Sequence, residues 1–115
     1  MKLVALAALV AVLTVPAALA STPTLNGTVG PGYTITLKKA GVKVTKLKHG
    51  TYVIKVADKS GIHNFHLKGP GVDKKTSVTG TGTKTWTVTL KAGKYTYVCD
   101  PHKTLPFMRG SFTVT

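Results

Sequence analysis

Beyond residue 20 the apolar residues recur at every second position in short runs, and almost nothing repeats at helical spacing. Tyr33 to Leu37, Tyr52 to Val56, Thr83 to Leu90 and Lys94 to Cys99 all alternate in this way, and Phe112 and Val114 close the chain with the same period. Trp86, Val88 and Leu90 share one face of their segment, and Tyr95, Tyr97 and Cys99 share one face of theirs. Period-two segments rich in Thr, Val and Tyr are strands with a single buried face. Between them stand turn signals: Gly30-Pro31-Gly32, His49-Gly50, Ser60-Gly61, Gly69-Pro70-Gly71 and Ala92-Gly93. Gly80-Thr81-Gly82 reads as a hairpin loop, since no helix follows that would make it a phosphate cradle. Ser21 to Gly27 reads as a lead-in that is also able to pair as a first strand. About seven or eight short strands at this spacing predict an all-β, antiparallel Greek-key sandwich or barrel.

The first 20 residues have a separate purpose. Met1-Lys2 is a short positive start, Leu3 to Val15 is apolar apart from Thr14, and Ala18-Leu19-Ala20 is an A-x-A cleavage signal before Ser21. That is the pattern of a secretory signal peptide. The apolar run is too short before Pro16 to span a bilayer, which takes about 20 residues. The expected organisation is therefore a signal peptide over 1–20 and one domain over 21–115, secreted, periplasmic or otherwise extracytoplasmic, with no stable transmembrane span. Removing 20 of 115 residues leaves 95, enough for one modest core.

Small exported domains commonly rely on disulfides. This chain has a single cysteine, Cys99, and so no internal disulfide. A lone thiol in an oxidising compartment is an inert core residue, an intermolecular link or a metal ligand. Its neighbours favour the third. His102 follows three residues later and Met108 six beyond that, within Y-V-C-D-P-H-K-T-L-P-F-M. A thiolate, an imidazole and a thioether suit copper, and two histidines with one cysteine and a weak methionine make a blue-copper site. The second histidine is sought in I-H-N-F-H-L, Ile62 to Leu67. If that run is a strand, His63, Phe65 and Leu67 form the core-facing set, with Asn64 and His66 on the other face. His63 is the choice. His49, beside Gly50, is expected in solvent.

With these residues in view, the chain resembles a small cupredoxin, the plastocyanin-like family of blue-copper electron carriers. In that family the last two strands are joined by a loop carrying three ligands, matched by Cys99, His102 and Met108 ahead of the closing R-G-S-F-T-V-T. The upstream His-Asn pair of the family is matched by His63-Asn64. The loop departs from the usual plastocyanin pattern by having five residues rather than four between its histidine and methionine. The resemblance implies one copper per chain held by His63, Cys99, His102 and Met108. It also implies that Asn64 ties the His63 segment to the cysteine loop, while Pro101 stiffens the turn that aims His102 at the sulfur.

Catalytic readings find little material. The chain has three acidic residues, Asp58, Asp73 and Asp100, and no paired carboxylates or nucleophile–base motif. With every metal position filled by protein, an electron carrier rather than an enzyme is expected. Losing Lys2 with the signal leaves 15 basic residues against 3 acidic, a formal +12. No pattern of interleaved basic and aromatic residues suggests nucleic-acid binding. The charge suits steering toward an acidic redox partner protein or retention at an anionic envelope, by a chain expected to be a monomer. Copper storage or delivery without electron turnover uses the same residues and is the second reading. A metal-free binding sandwich is the third.

Overall fold

The computed structural model describes Ala8 and residues 21–115; the expected signal peptide, Ala8 aside, lies outside the described residues. The described residues form ten strands: β1 (Thr24–Val29), β2 (Ile35–Lys39), β3 (Val42–Lys43), β4 (Lys46–Leu47), β5 (Gly50–Asp58), β6 (His66–Gly69), β7 (Val72–Lys75), β8 (Gly82–Leu90), β9 (Gly93–Val98) and β10 (Arg109–Val114). They form two five-stranded sheets, β3-β2-β1-β5-β8 and β4-β10-β9-β6-β7, packed as a sandwich. Among the described residues no helix is long and apolar enough to cross a membrane.

The all-β class agrees with the alternation in the sequence, and the count of seven or eight strands is corrected to ten. The additional strands are short. β3 and β4 have two residues each, where the chain passes from one sheet to the other, and two residues cannot display a period. Residues 24–29 are a full strand lodged between β2 and β5 rather than a loose lead-in. Two pairings are parallel, β1 with β5 and β4 with β10, because long connections return the chain beside an earlier strand. Gly80-Thr81-Gly82 is not a hairpin loop. β7 and β8 lie in different sheets, so this segment crosses the sandwich.

The core lies between the sheets and is built from the predicted faces. Tyr52, Ile54 and Val56 of β5, Val88 and Leu90 of β8, Tyr95 and Tyr97 of β9, and Phe112 and Val114 of β10 are all buried. Two ring stacks occupy the middle: Tyr95 on Phe112 with centroids 5.3 Å apart, and Phe65 on Tyr97 at 5.6 Å with planes 4° apart. The second stack continues to Cys99, the next inward residue after Tyr97. Gly110 faces Tyr97 across the β9–β10 ladder and leaves room for its ring. A Cβ at Gly110 would stand 2.3 Å from Tyr97 ring atoms.

Gly110→Ala should therefore push Tyr97 off Phe65 and lower stability by about 1–3 kcal/mol, the usual cost of overpacking a filled core. Gly32→Ala, where an added Cβ meets nothing within 4 Å, should change stability by no more than about 0.5 kcal/mol. Urea unfolding of the metal-free chains measures both, and equal midpoints for the two variants would refute the packing argument.

Candidate metal centre

Two segments meet at one end of the sandwich, where the ladders run out. The first connects β5 to β6. The Asp58 carboxylate accepts the Ser60 N–H at 3.1 Å, and the Ser60 hydroxyl accepts the Ile62 N–H at 3.3 Å, so the chain turns sharply into His63. Thr76 then clamps Phe65: its hydroxyl accepts the Phe65 N–H at 2.8 Å and donates to Asp58 at 3.1 Å. The strand expected over 62–67 begins only at His66, and 63–67 are all buried. Strand alternation across this run is thus corrected. His63 and Phe65 do face inward, but Asn64 and His66 are covered as well.

The second segment is the Cys99–Met108 loop. It contains two short 3₁₀ turns, Asp100–His102 and Pro106–Met108, each with a proline in its first positions, where no N–H is required. His102 N–H donates to the Cys99 carbonyl at 3.0 Å, which folds the histidine back over the sulfur. Cys99 N–H donates to the Met108 carbonyl, also at 3.0 Å, so Met108 lies directly across from Cys99 and is fully buried.

Asn64 joins the two segments. Its side-chain oxygen accepts the Asp100 N–H at 2.8 Å and its amide donates to the Asp100 carboxylate at 2.8 Å. The structure brings His63, Cys99 and His102 together. His63 Nδ1 lies 3.6 Å from Cys99 Sγ, His102 Nδ1 lies 3.4 Å from it, and the two nitrogens are 3.0 Å apart. A point inside this triangle is about 1.9 Å from all three atoms, near the roughly 2.0–2.3 Å that imidazole nitrogen and thiolate sulfur keep from a first-row metal ion. The three residues are arranged to hold a metal ion. Cys99 and His63 are fully buried, whereas His102 is partly exposed. His63 Nε2 is buried without a partner, so all polar contact of this ring runs through Nδ1. His66 is turned elsewhere, with Nδ1 2.8 Å from the Asp100 carboxylate and Nε2 on Asp73. His49 is exposed and bonds the Thr115 carbonyl at the opposite end.

One neighbour was not foreseen from sequence. Tyr33 stands edge-on to both rings, with centroids 4.9 Å from His63 and 5.0 Å from His102, and is half exposed. It precedes β2 and is delivered by the Gly30-Pro31-Gly32 turn, whose proximity to the cysteine loop leaves no mark in the sequence. The roles of Asp100 and Thr76 were also missed. In a chain with three acids, each acid beside a candidate ligand was a signal.

Hydrogen bonding to His66 holds the Asp73 carboxyl below its usual value. At Asp100 burial pushes upward, but hydrogen bonds from Asn64 and His66 outweigh it and the group also ends low. Folded values below the unfolded ones give stability that is complete above about pH 4 and is lost as pH falls through the folded values. His66→Gln should thus destabilise the metal-free chain at neutral pH and flatten the fall in urea midpoint below about pH 4. An unchanged acid limb would show that the carboxylates hold their low values without the ring.

The sequence profile of the family described as copper binding proteins, plastocyanin/azurin family, matches residues 24–115. Rusticyanin from Thiobacillus ferrooxidans superposes with a TM-score of 0.57 at 23% identity, over 82% of this chain and 77% of that one. Reduced rusticyanin gives 0.58 at 21% identity, over 82% and 79%. Auracyanin A, a "blue" copper protein of the green thermophilic photosynthetic bacterium Chloroflexus aurantiacus, gives 0.52 at 20% identity, over 80% of this chain and 98% of its own. These share the sandwich fold. No functionally curated protein matches by sequence.

Proposed function

The chain belongs to the plastocyanin/azurin family of copper-binding proteins, and from that premise we propose that it is an exported blue-copper electron carrier. One copper would be held by His63, Cys99, His102 and Met108. The observation that supports this most is the buried sulfur with two Nδ1 atoms at 3.6 and 3.4 Å. Bound copper supplies a one-electron couple; a borderline-soft donor set of this kind suits both of its states.

The protein's own contribution is to keep the donors still. Cys99 and His102 are fixed by backbone hydrogen bonds inside one short loop, and Asn64 fastens that loop to the His63 segment. Donors that do not move when an electron arrives need little rearrangement for transfer. Burial of Cys99 and His63 favours lasting retention over exchange, which weighs against the delivery reading. Filling each metal position with a side chain leaves no place for a substrate, in keeping with a carrier rather than an enzyme.

Electrons would pass by way of His102, the one partly exposed member of the triangle. Tyr33 stands 5.0 Å from its ring, Ile62 adjoins His63 in sequence and Phe107 belongs to the Cys99–Met108 loop; they are 49%, 55% and 57% exposed. They come from three different loops and form an apolar rim on which a redox partner protein can dock briefly. The formal +12 adds long-range attraction to an acidic partner, which salt weakens. The signal-peptide pattern supports an extracytoplasmic setting for this chemistry, and a monomer suffices for it.

Copper added to the wild-type chain should give an intense visible absorption that disappears in Cys99→Ser. His63→Ala should weaken binding and alter the spectrum, whereas His66→Ala should leave the spectrum close to wild type. Met108→Leu should keep copper and raise the reduction potential, because a long axial bond tunes the couple more than the affinity. Persistence of the same absorption in Cys99→Ser would overturn the ligand assignment.

Phe107→Glu should slow reduction by a partner protein while preserving that absorption. Exchange with an anionic redox reagent should slow as ionic strength rises, and exchange with a cationic reagent should accelerate. Rates indifferent to both changes would rule out this docking surface.

A further inference from the structure

The three acidic side chains of the sequence are not scattered. Asp58 ends β5, Asp73 is in β7 and Asp100 is in the cysteine loop, and all belong to one network. Asp58 reaches Thr76, whose carbonyl accepts from Asn64; Asn64 holds Asp100, and Asp100 shares His66 with Asp73. The acids are thereby gathered at the metal end and along the side of the sandwich edged by β7 and β8.

The opposite side, edged by β3 and β4, carries no Asp or Glu side chain. Residues 38–48 carry Lys38, Lys39, Lys43, Lys46 and Lys48 with no acid among them, and all five are exposed. An open groove of about 610 Å³ runs between the sheet edges, where Lys39, Lys43, Lys46 and Lys48 surround a floor that includes Val42, Leu47 and Tyr52. Lys43 also borders a neighbouring hollow of about 180 Å³ that includes Lys38 and Arg109. The two depressions make one cationic trough. It extends from Leu47, paired with Val114, toward Arg109 at the start of β10, or about 17 Å at the rise of a strand.

We propose that this trough binds an extended polyanion, a linear polymer bearing closely spaced phosphate or sulfate groups. A single small anion would meet only part of a row this long. A planar bilayer would touch the rims and leave the concave floor unfilled. Single-stranded nucleic acid would want aromatic faces for its bases, and Tyr52 in the groove is buried with its hydroxyl donating to the Lys48 carbonyl at 2.7 Å. A linear polymer needs only the row of ammonium groups and gains affinity by releasing its condensed counterions. Its widest part lies at the far end of the strands from the His63–Cys99–His102 triangle, so a tethered chain would still present its metal end. The reading is independent of whether that end carries electrons.

The test uses the whole copper-loaded protein and inorganic polyphosphate. Lys43→Gln, Lys46→Gln and Lys48→Gln together should weaken binding by about tenfold or more and reduce the salt slope by about 2–3. Lys59→Gln, Lys74→Gln and Lys84→Gln remove the same charge from the other side and should change affinity by less than about threefold, as a contribution from net charge alone. All six side chains are exposed, so neither variant should lose its visible absorption. Amide shift mapping on the unsubstituted chain should independently place the polymer on residues 38–48. Equal losses in the two variants, shifts spread over the whole surface, or a preference for phosphatidylglycerol vesicles or single-stranded DNA over polyphosphate would each overturn the proposal.

Discussion

The metal end depends on one side chain imitating a piece of sheet. β6 and β9 pair from Lys68 opposite Thr96 to His66 opposite Val98, and there the ladder stops. One residue further, Cys99 turns to pair its N–H with Met108 on the β10 side, leaving the β6 side open. Asn64 fills that opening with an amide that accepts from the Asp100 N–H and donates to its carboxylate, much as a peptide group would. The two segments are 36 residues apart in sequence, and a net hydrogen bond to a charged group is worth about 1.5–3 kcal/mol. A peptide at this position would have brought the backbones to ladder distance. The longer reach of a side chain holds them apart, and the gap is where His63 and His102 place their rings.

Burial of polar groups is the cost of this arrangement. Asp58, Asn64, His66 and Thr76 are all buried or nearly so, which is tolerable only when each finds partners. They find them in one another. All three acids of this strongly basic chain act as acceptors at defined donors within it. The single orphan among the described buried side-chain atoms is His63 Nε2, on a ring whose other nitrogen faces the sulfur. An unsatisfied buried group of this sort costs about 1–3 kcal/mol, and it sits where a functional demand opposes stability.

Much of this was legible before the fold was known. Alternation fixed the faces of β5, β8, β9 and β10, because a half-buried strand must repeat with period two. The spacing of Cys99, His102 and Met108 identified the loop, since donors so close in sequence cannot be far apart in space. The short crossing strands β3 and β4 were not legible, being too brief for any period. Neither was the burial of Asn64 and His66, which comes from contacts with Asp100 and Asp73 rather than from apolarity. Tyr33 was read as the first residue of a strand and proved to stand over both histidines. Its place is set by which loops share an end of the sandwich, and that is a property of topology.

The same topology separates two kinds of surface. The metal end and the β7 side bring every acidic side chain, while the β3 and β4 edges bring lysines beside the exposed Val42. Had the acids been dispersed, each would have cancelled a neighbouring lysine within a Debye length of about 8–10 Å, and the cationic side would have been lost. Had the lysines crowded the metal end, their hydration would have opposed close approach of a partner to His102. Collecting three carboxylates around His66 and Thr76 achieves both results with residues already needed to brace the His63 segment. The electrostatic character of the whole surface is thus a consequence of how one buried segment is held in place.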